Sequence, residues 1–301
     1  MIFEYQSKIY LGEVALYVAN LARQKDFYQR VLGLELLEED YTQVALGRDG
    51  QVLVRLLATS DRQPVVKSAY GLYHLALLLP SRQALADILK HLSESKVPMV
   101  GGADHGYSEA IYLEDPEGNG IELYRDKPQD DWDIREDGRI IGVTEALAAQ
   151  EIYELGQEVQ PFSIAAGTRM GHVHLSVKNS RAASHFYQKL LGLVDKFSVP
   201  SASWLASGNY HHHLAVNEWG GSHLNHRQPK QQGLAYFEAQ VQGKEELVAI
   251  HENALDLQAP ARWISSQKLE VTDPDGIAMR MIAPTKVNIE NKRVGQKSVI
   301  R

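Results

Sequence analysis

The chain of 301 residues contains no cysteine. This excludes disulfides and thiolate metal sites, so histidine, aspartate and glutamate are the ordinary strong metal ligands that remain. No apolar run approaches the roughly 18 residues that a membrane span needs, and the N-terminus lacks the pattern of a signal peptide. The mild net charge of −7 argues against a nucleic-acid partner. We therefore expect a cytoplasmic globular protein without a membrane or nucleic-acid partner, and the composition leaves a homo-oligomer open.

What the sequence does contain is an internal repeat. "FYQRVLGLELLEE" begins at Phe27, and "FYQKLLGLVDKFS" begins at Phe186. The similarity extends upstream without a gap, because "GEVALYVAN" from Gly12 is parallel to "GHVHLSVKN" from Gly171. A repeat of this length indicates a duplicated structural unit.

Each copy has the pattern of one strand, one helix and three short strands. In the first copy an alternating strand is followed by an amphipathic helix, and Gly33 stands where a C-terminal cap glycine is expected. Stretches from Gly71 and Gly233 repeat the same βαβββ order. The sequence thus predicts four units, at 7–60, 69–127, 168–220 and 230–284.

A single βαβββ unit cannot bury both faces of its sheet, so the units are expected to pair. Pairing consecutive units predicts an α+β protein with an N-terminal domain over 1–127 and a C-terminal domain over 168–285. The segment 128–167 is predicted to be a linker with a short helix. Residues 286–301 are predicted to be a basic tail.

Three motifs within these units resemble a known superfamily. "GLYHLALLLPSR" (71–82), "DPEGNGIELY" (115–124) and the repeated "FYQxxLGL" resemble the vicinal oxygen chelate superfamily, which includes glyoxalase I, fosfomycin-resistance proteins, bleomycin-binding proteins and extradiol dioxygenases. The resemblance covers nearly the whole chain. It is closest to the two-domain catechol 2,3-dioxygenase type, which "GNYHHHLAVNEW" (208–219) also fits. This implies curved mixed sheets that each enclose a cleft.

The resemblance implies a metal site in the N-terminal domain. Matched position by position, its ligands are Glu13, His74 and Glu122. Imidazole and carboxylate ligands suit Fe(II), or else Mn(II). A carboxylate between Ile121 and Leu123 is also costly to bury without a partner.

The first ligand departs from the superfamily pattern. Ring-cleaving members normally have a histidine where this chain has Glu13, and the third unit carries that histidine as His172. Two carboxylates would neutralise a divalent metal, whereas two histidines and one carboxylate leave one positive charge. A site built on Glu13 is therefore expected to bind a catecholate more weakly.

The stretch from 103 to 124 carries the predicted catalytic residues. His105 and Tyr112 match a histidine and a tyrosine that lie beside the metal in ring-cleaving members. A histidine can relay a proton near neutral pH, and a tyrosine hydroxyl can orient the substrate. The resemblance therefore implies an extradiol dioxygenase with a small catechol-like aromatic and O₂ as its substrates.

Two other functions stay open. A glyoxalase-like isomerase or lyase would explain Glu13, but that family takes a fourth ligand from the last strand of the first unit. Here that strand offers only Arg55, which is no metal ligand. A non-catalytic protein that binds a small molecule in the cleft is the second alternative.

The C-terminal half is predicted to be a degenerate copy without metal chemistry. It keeps His172, but Tyr236 and Arg280 occupy its other ligand positions. The cluster His211–His213 is predicted to serve polar packing or an interface rather than to form a metal site with His172.

Overall fold

The computed structural model describes residues 3–60, 69–221 and 223–284. The predicted basic tail at 286–301 lies outside the described residues. Apart from a 3₁₀ turn at Glu4–Gln6, the described chain follows the predicted order of four βαβββ units with a connecting segment between the second and the third. Within the described ranges, no helix is long and apolar enough to cross a membrane.

The first two units contain eight strands and two helices. The first unit consists of β1 (Ile9–Val18), α1 (Leu21–Asp26) with a π-helical turn (Phe27–Val31), β2 (Glu35–Glu39), β3 (Gln43–Arg48) and β4 (Gln51–Ala58). The second unit consists of β5 (Gly71–Leu78), α2 (Arg82–Glu94), β6 (Met99–Asp104), β7 (Ser108–Glu114) and β8 (Gly120–Asp126).

The connecting segment contains a 3₁₀ turn (Gln129–Asp131), β9 (Asp133–Ile134), β10 (Ile140–Ile141), β11 (Glu145–Ala146) and α3 (Ala149–Leu155). The third unit consists of β12 (Arg169–Ser176), α4 (Ser180–Leu191), β13 (Val194–Val199), β14 (Ala202–Ala206) and β15 (Leu214–Asn217). The fourth unit consists of β16 (Gly233–Val241), α5 (Lys244–Asp256), β17 (Ala261–Ser265), β18 (Lys268–Thr272) and β19 (Ala278–Ile282).

The repeated sequence encodes the same helix ends in the first and third units. Asn20 accepts a hydrogen bond from Arg23 N, and Asn179 accepts one from Ala182 N, so each asparagine caps its helix. Gly33 and Gly192 follow the two helices with φ of +73° and +65°. The prediction that Gly33 ends its helix is confirmed, because this left-handed conformation favours glycine.

The sheets pair the units in an order that the sequence did not predict. One sheet has the strand order β17-β18-β19-β16-β1-β4-β3-β2, and the other has β11-β6-β7-β8-β5-β12-β15-β14-β13. The first unit therefore shares a sheet with the fourth, through the antiparallel pair β1–β16, and the second shares one with the third, through β5–β12. The predicted division into consecutive pairs, 1–127 and 168–285, is corrected accordingly.

Consecutive units are tied together by the tyrosine of the repeated "FYQ". Tyr28 donates a hydrogen bond to Asp115 of the second unit, and Tyr187 donates one to Asp273 of the fourth. Both aspartates begin "DP" turns and also accept backbone N–H groups of those turns. All four units contribute to the main hydrophobic core, which lies between the sheets and their helices.

Candidate metal centre and cleft

Three ligand-type side chains meet on adjacent strands of the nine-stranded sheet. His74 lies on β5, Glu122 on β8 and His172 on β12, and the strand order β8-β5-β12 makes them neighbours. One ligand atom from each residue lies within 4.8 Å of the other two, and all three residues are buried. Among the described residues, this is the one group of three or more ligand-type side chains so arranged.

The register of the strands produces this convergence. β5 and β8 are parallel, with Ala76 opposite Glu122, and β5 and β12 are antiparallel, with His74 opposite His174. Irregularities on both sides of His172 shift the register locally. Such bulges redirect side chains, so the sequence alternation alone could not have shown that His172 meets His74.

The carboxylate of Glu122 is central to the group. Its Oε2 atom lies 2.9 Å from His74 Nε2 and 3.0 Å from His172 Nε2. Burial opposes the ionisation of Glu122, but the charge and hydrogen bond of His172, together with the adjacent His74, hold its pKa well below the usual value. Burial lowers the pKa of His172, and Glu122 partly opposes that effect. An ionised carboxylate and a neutral imidazole are the forms that bind metals.

The chemistry of the group fits a divalent cation. His74 Nε2 is buried and lies 2.9 Å from Glu122 Oε2, but it makes no hydrogen bond of regular geometry with any described residue. Two imidazoles and one carboxylate form the set typical of non-haem Fe(II) sites with open positions. The residues present therefore fit the metal that the sequence predicted.

Glu13, the third predicted ligand, lies elsewhere. It is on β1 of the eight-stranded sheet, where Arg55 Nε donates to both of its carboxylate oxygens at 2.8 and 3.0 Å. Tyr236 donates to it at 2.6 Å, and Arg280 lies 3.5 Å above the Tyr236 ring. The structure thus brings His74 and Glu122 together with His172 instead of Glu13, because the units pair as second with third.

This placement also corrects the prediction about the C-terminal half. Tyr236 and Arg280 occupy the positions that correspond to ligands, but Tyr236 donates to Glu13 of the first unit, and Arg280 lies over the Tyr236 ring. The degenerate site is therefore shared between the two halves of the chain. The cluster of His74, Glu122 and His172 is also shared between the two halves of the chain, since His172 belongs to the third unit.

The predicted catalytic pair is adjacent to the cluster. Tyr112 lies opposite Glu122 on β7, and its hydroxyl is 2.6 Å from His105 Nε2. His105 Nδ1 lies 2.9 Å from the carbonyl oxygen of Val143, which can only accept. His105 Nδ1 therefore carries a proton, and in the neutral ring Nε2 accepts from Tyr112. Burial, followed by the charge of Glu122, raises the pKa of Tyr112.

The histidine run contributes one side chain that the sequence analysis did not select. His211 Nε2 lies 2.8 Å from Asp126 Oδ1, and His211 Nδ1 lies 2.7 Å from His212 Nδ1. Since Asp126 can only accept when ionised, neutral His211 accepts from His212, which leaves a lone pair on His212 Nε2. The ring of His212 packs 4.1 Å from that of His172, and burial lowers its pKa well below the usual value.

His213 is separate from this site. Its Nδ1 accepts from Ser207 N at 3.4 Å, and its Nε2 lies 3.3 Å from Ser7 Oγ. This is the polar packing expected for the run, whereas His212 lines the cleft beside the cluster. The signal for His212 was present in the sequence as a polar run immediately before a buried strand.

The cluster faces a cleft of about 750 Å³. His74, Glu122, His172, His105 and Tyr112 all line it. Its remaining wall is mainly aromatic and apolar, and includes Leu72, Tyr73, Phe197, Trp204, Trp219 and Leu224. A cleft of this size, with a few convergent polar groups in an apolar wall, is typical of a small-molecule site.

Comparisons with known proteins agree with this fold. The model of the Glyoxalase/Bleomycin resistance protein/Dioxygenase superfamily matches residues 10–123. The chain is 34% identical over 242 residues to catechol-2,3-dioxygenase of Bacillus subtilis (strain 168), an alignment that covers 79% of this chain and 85% of that protein. The chain therefore belongs to the glyoxalase/bleomycin resistance protein/dioxygenase superfamily, and the predicted α+β fold is confirmed.

Two further relatives illustrate the range of this superfamily. The chain is 31% identical over 126 residues to lactoylglutathione lyase of Neisseria meningitidis (strain MC58), which covers 38% of this chain and 90% of that protein. The solved structure of glyoxalase I from Zea mays has a TM-score of 0.57 at 14% identity, and covers 91% of this chain and 92% of that one. At that identity the likeness concerns the fold alone.

Proposed function

We propose that this protein is a metal-dependent extradiol dioxygenase that opens the ring of a small catechol-like aromatic with O₂. The observation that carries the proposal is the convergence of His74, Glu122 and His172 within 4.8 Å at the wall of the cleft. The 34% identity to a catechol-2,3-dioxygenase supports the same chemistry.

The three side chains would hold Fe(II), or alternatively Mn(II). Such a metal, when bound, supplies a Lewis acid that brings the vicinal oxygens of a catechol and O₂ together. Two neutral imidazoles and one carboxylate leave one net positive charge on a divalent ion. The reduced charge expected from Glu13 therefore does not arise, and the site favours an anionic catecholate.

Two groups of the chain can accept hydrogen bonds from the hydroxyls of a catechol. His212 Nε2 has a lone pair and lies beside His172, so it can accept a hydrogen bond from one hydroxyl. Tyr112 can accept a hydrogen bond from the other hydroxyl while it donates to His105 Nε2, which gives the proton a path to His105. His105 then serves as the general base of the reaction through Tyr112.

A metal-dependent lyase of the glyoxalase type is the second candidate, favoured by the identity to lactoylglutathione lyase over 90% of that protein. The two reactions differ in their demand for O₂. A non-catalytic binding protein would need neither O₂ nor a metal.

The decisive experiment is an anaerobic Fe(II) or Mn(II) reload followed by metal analysis and an oxygen-uptake assay with a panel of catechols. We expect one metal per chain, oxygen consumption and a coloured ring-opened product. His172→Ala should abolish stoichiometric metal binding, whereas Glu13→Gln should retain it, because Glu13 lies on the other sheet.

Two results would count against the proposal. Equal metal content in wild type and His172→Ala would show that His172 is not a ligand, and the proposed ligand set would be wrong. Full metal occupancy without oxygen uptake, but with turnover of the hemithioacetal of methylglyoxal and glutathione, would establish the lyase instead.

A further inference from the structure

Arg227 lies on the wall of the cleft and has no acidic partner among the described residues. Among the described residues that line the cleft, Arg227 is the one lysine or arginine. Its Nη2 atom donates to the carbonyl oxygens of Gln231, at 3.0 Å, and Gln232. Nε and Nη1 make no hydrogen bond with any described residue, and the guanidinium forms no ion pair within that part of the chain.

Two glycines make room for this guanidinium. Gly71 begins β5 with φ of +147°, and Gly233 begins β16 with φ of +101°. A Cβ atom at either position would lie 2.9 or 3.0 Å from Arg227 Nη1. The group is thus seated in a slot between the first residues of two strands, one from each sheet.

The electrostatic state of Arg227 is unusual for a structural arginine. Burial lowers its pKa to about 10, and no carboxylate of the described ranges compensates that effect. The group is still cationic at neutral pH, so it places an uncompensated positive charge on the cleft wall. A partly buried charge of this kind gains most from an anion that also accepts its remaining hydrogen bonds.

The slot that holds the Arg227 guanidinium is close enough to the metal cluster for one small substrate to reach both. Gly71 precedes His74 by three residues on the same strand, which corresponds to about 10 Å. Leu72, Trp219 and Leu224 line the same cleft and provide apolar surface for an aromatic ring.

We propose that Arg227 binds the carboxylate of the substrate, so that the preferred substrates are catechols with a carboxylate on a short side chain. This inference rests on the proposed ring-cleaving function. The vicinal oxygens would be directed toward His74, Glu122 and His172, and the ring would pack on the apolar wall. The carboxylate would accept from an N–H group of Arg227 that no described residue occupies. The arginine is thereby a specificity-determining residue.

The test compares two catechols that differ in charge. Homoprotocatechuate carries a carboxymethyl group, and 4-methylcatechol is its uncharged counterpart. In wild type we expect a higher kcat/KM for homoprotocatechuate. Arg227→Gln should lower that kcat/KM by about 10- to 100-fold, the effect of losing hydrogen bonds to a charged group, with less than about a threefold change for 4-methylcatechol. Arg227→Lys should show a smaller decrease in kcat/KM for homoprotocatechuate, because lysine keeps the positive charge.

An anaerobic titration of the same variants, followed by tryptophan fluorescence, measures binding without turnover. We expect the same charge-dependent loss of affinity in Arg227→Gln. Arg181→Gln is the matched control, since Arg181 is exposed on α4 and outside the cleft. Thermal unfolding checks that Arg227→Gln remains folded. If this variant does not fold, the role of Arg227 is judged from the preference of wild type for homoprotocatechuate and from the effect of Arg227→Lys.

The outcomes separate this inference from the proposed function. Equal kcat/KM of wild type for the two catechols, or equal losses for both in Arg227→Gln, overturns the role of Arg227 while ring cleavage stands. Absence of oxygen uptake with every catechol counts against ring cleavage. In that case the titration still decides whether Arg227 selects an anionic aromatic.

Discussion

His105 is constrained at both ring nitrogens. Its Nδ1 atom donates to the Val143 carbonyl, which orients Nε2 toward the Tyr112 hydroxyl at 2.6 Å. This arrangement, a base held by a third group and aimed at a hydroxyl, is the logic of an acid–base relay. The histidine therefore acts on the substrate through Tyr112.

This geometry predicts the effect of removing either member of the pair. His105→Ala should reduce turnover by about 10²- to 10⁴-fold, and Tyr112→Phe should reduce it comparably, while both retain one metal per chain. The measurement is oxygen uptake together with metal analysis. His91→Ala is a suitable control, because His91 stacks on Phe162 away from the cleft. Loss of metal from His105→Ala would contradict the assigned role.

A second residue-scale prediction concerns pH. Burial lowers the pKa of His213 to about 3, whereas an unfolded histidine titrates near 6.5. The unfolded chain therefore binds more protons between these values, so the stability contributed by neutral His213 is full above about pH 6.5 and is lost as pH falls toward 3.

In urea titrations at pH 6 to 4, His213→Gln should reduce the slope of unfolding free energy against pH by about 1.4 kcal/mol per pH unit. His185→Gln, at an exposed site on α4, should leave the slope unchanged. An unaltered slope in His213→Gln would show that this histidine titrates normally.

At the scale of elements, β1, β4 and β16 hold a polar network where the other sheet holds its metal-type cluster. Glu13 accepts from both Arg55 and Tyr236, and its side chain is 8% exposed. Arg280 on β19 covers the tyrosine ring. Charged side chains of this network occupy the place that corresponds to the metal cluster of the other sheet. This sheet is therefore stabilised without a metal ion.

Glu13→Ala should accordingly lower the unfolding free energy by about 2 kcal/mol, because the buried donors of Arg55 and Tyr236 lose their acceptor. Oxygen uptake per metal should persist. Glu39→Ala, which removes an exposed ion pair with Lys25, should cost about 0–1 kcal/mol. Urea unfolding measures both, and equal costs would mean that the network contributes no more than a surface pair.

The elements also show how far the sequence predicts this protein. Periodicity, the "FYQ" repeat and cap residues such as Gly33 predicted four units, and the motifs placed His74, Glu122, His105 and Tyr112 correctly on one cleft. The partner of each unit was not predictable, because every unit has the same pattern, which specifies a buried face but not a neighbour. Because the pairing of the units was predicted wrongly, the predicted ligand set contained Glu13 in the place of His172.

At the scale of the whole molecule, each sheet contains one unit from each half of the chain. A fragment of residues 1–127 therefore lacks His172 and the partner strands of both its units. We expect it to bind no stoichiometric metal alone, and to recover metal binding when refolded with 128–301. Metal analysis after gel filtration measures this, and one tightly bound metal per isolated 1–127 fragment would contradict the observed pairing.

The nesting of one pair of units inside the other has a consequence for synthesis on the ribosome. Strands β5 and β12 can join once the third unit has emerged, but Ile9 of β1 must wait for Val241 of β16. At about 5–20 residues per second, the first unit spends many seconds with an open, apolar strand edge. Such an edge can pair with other chains. The yield of folded protein should therefore depend on chaperones that shield nascent chains, and slower translation should increase that dependence.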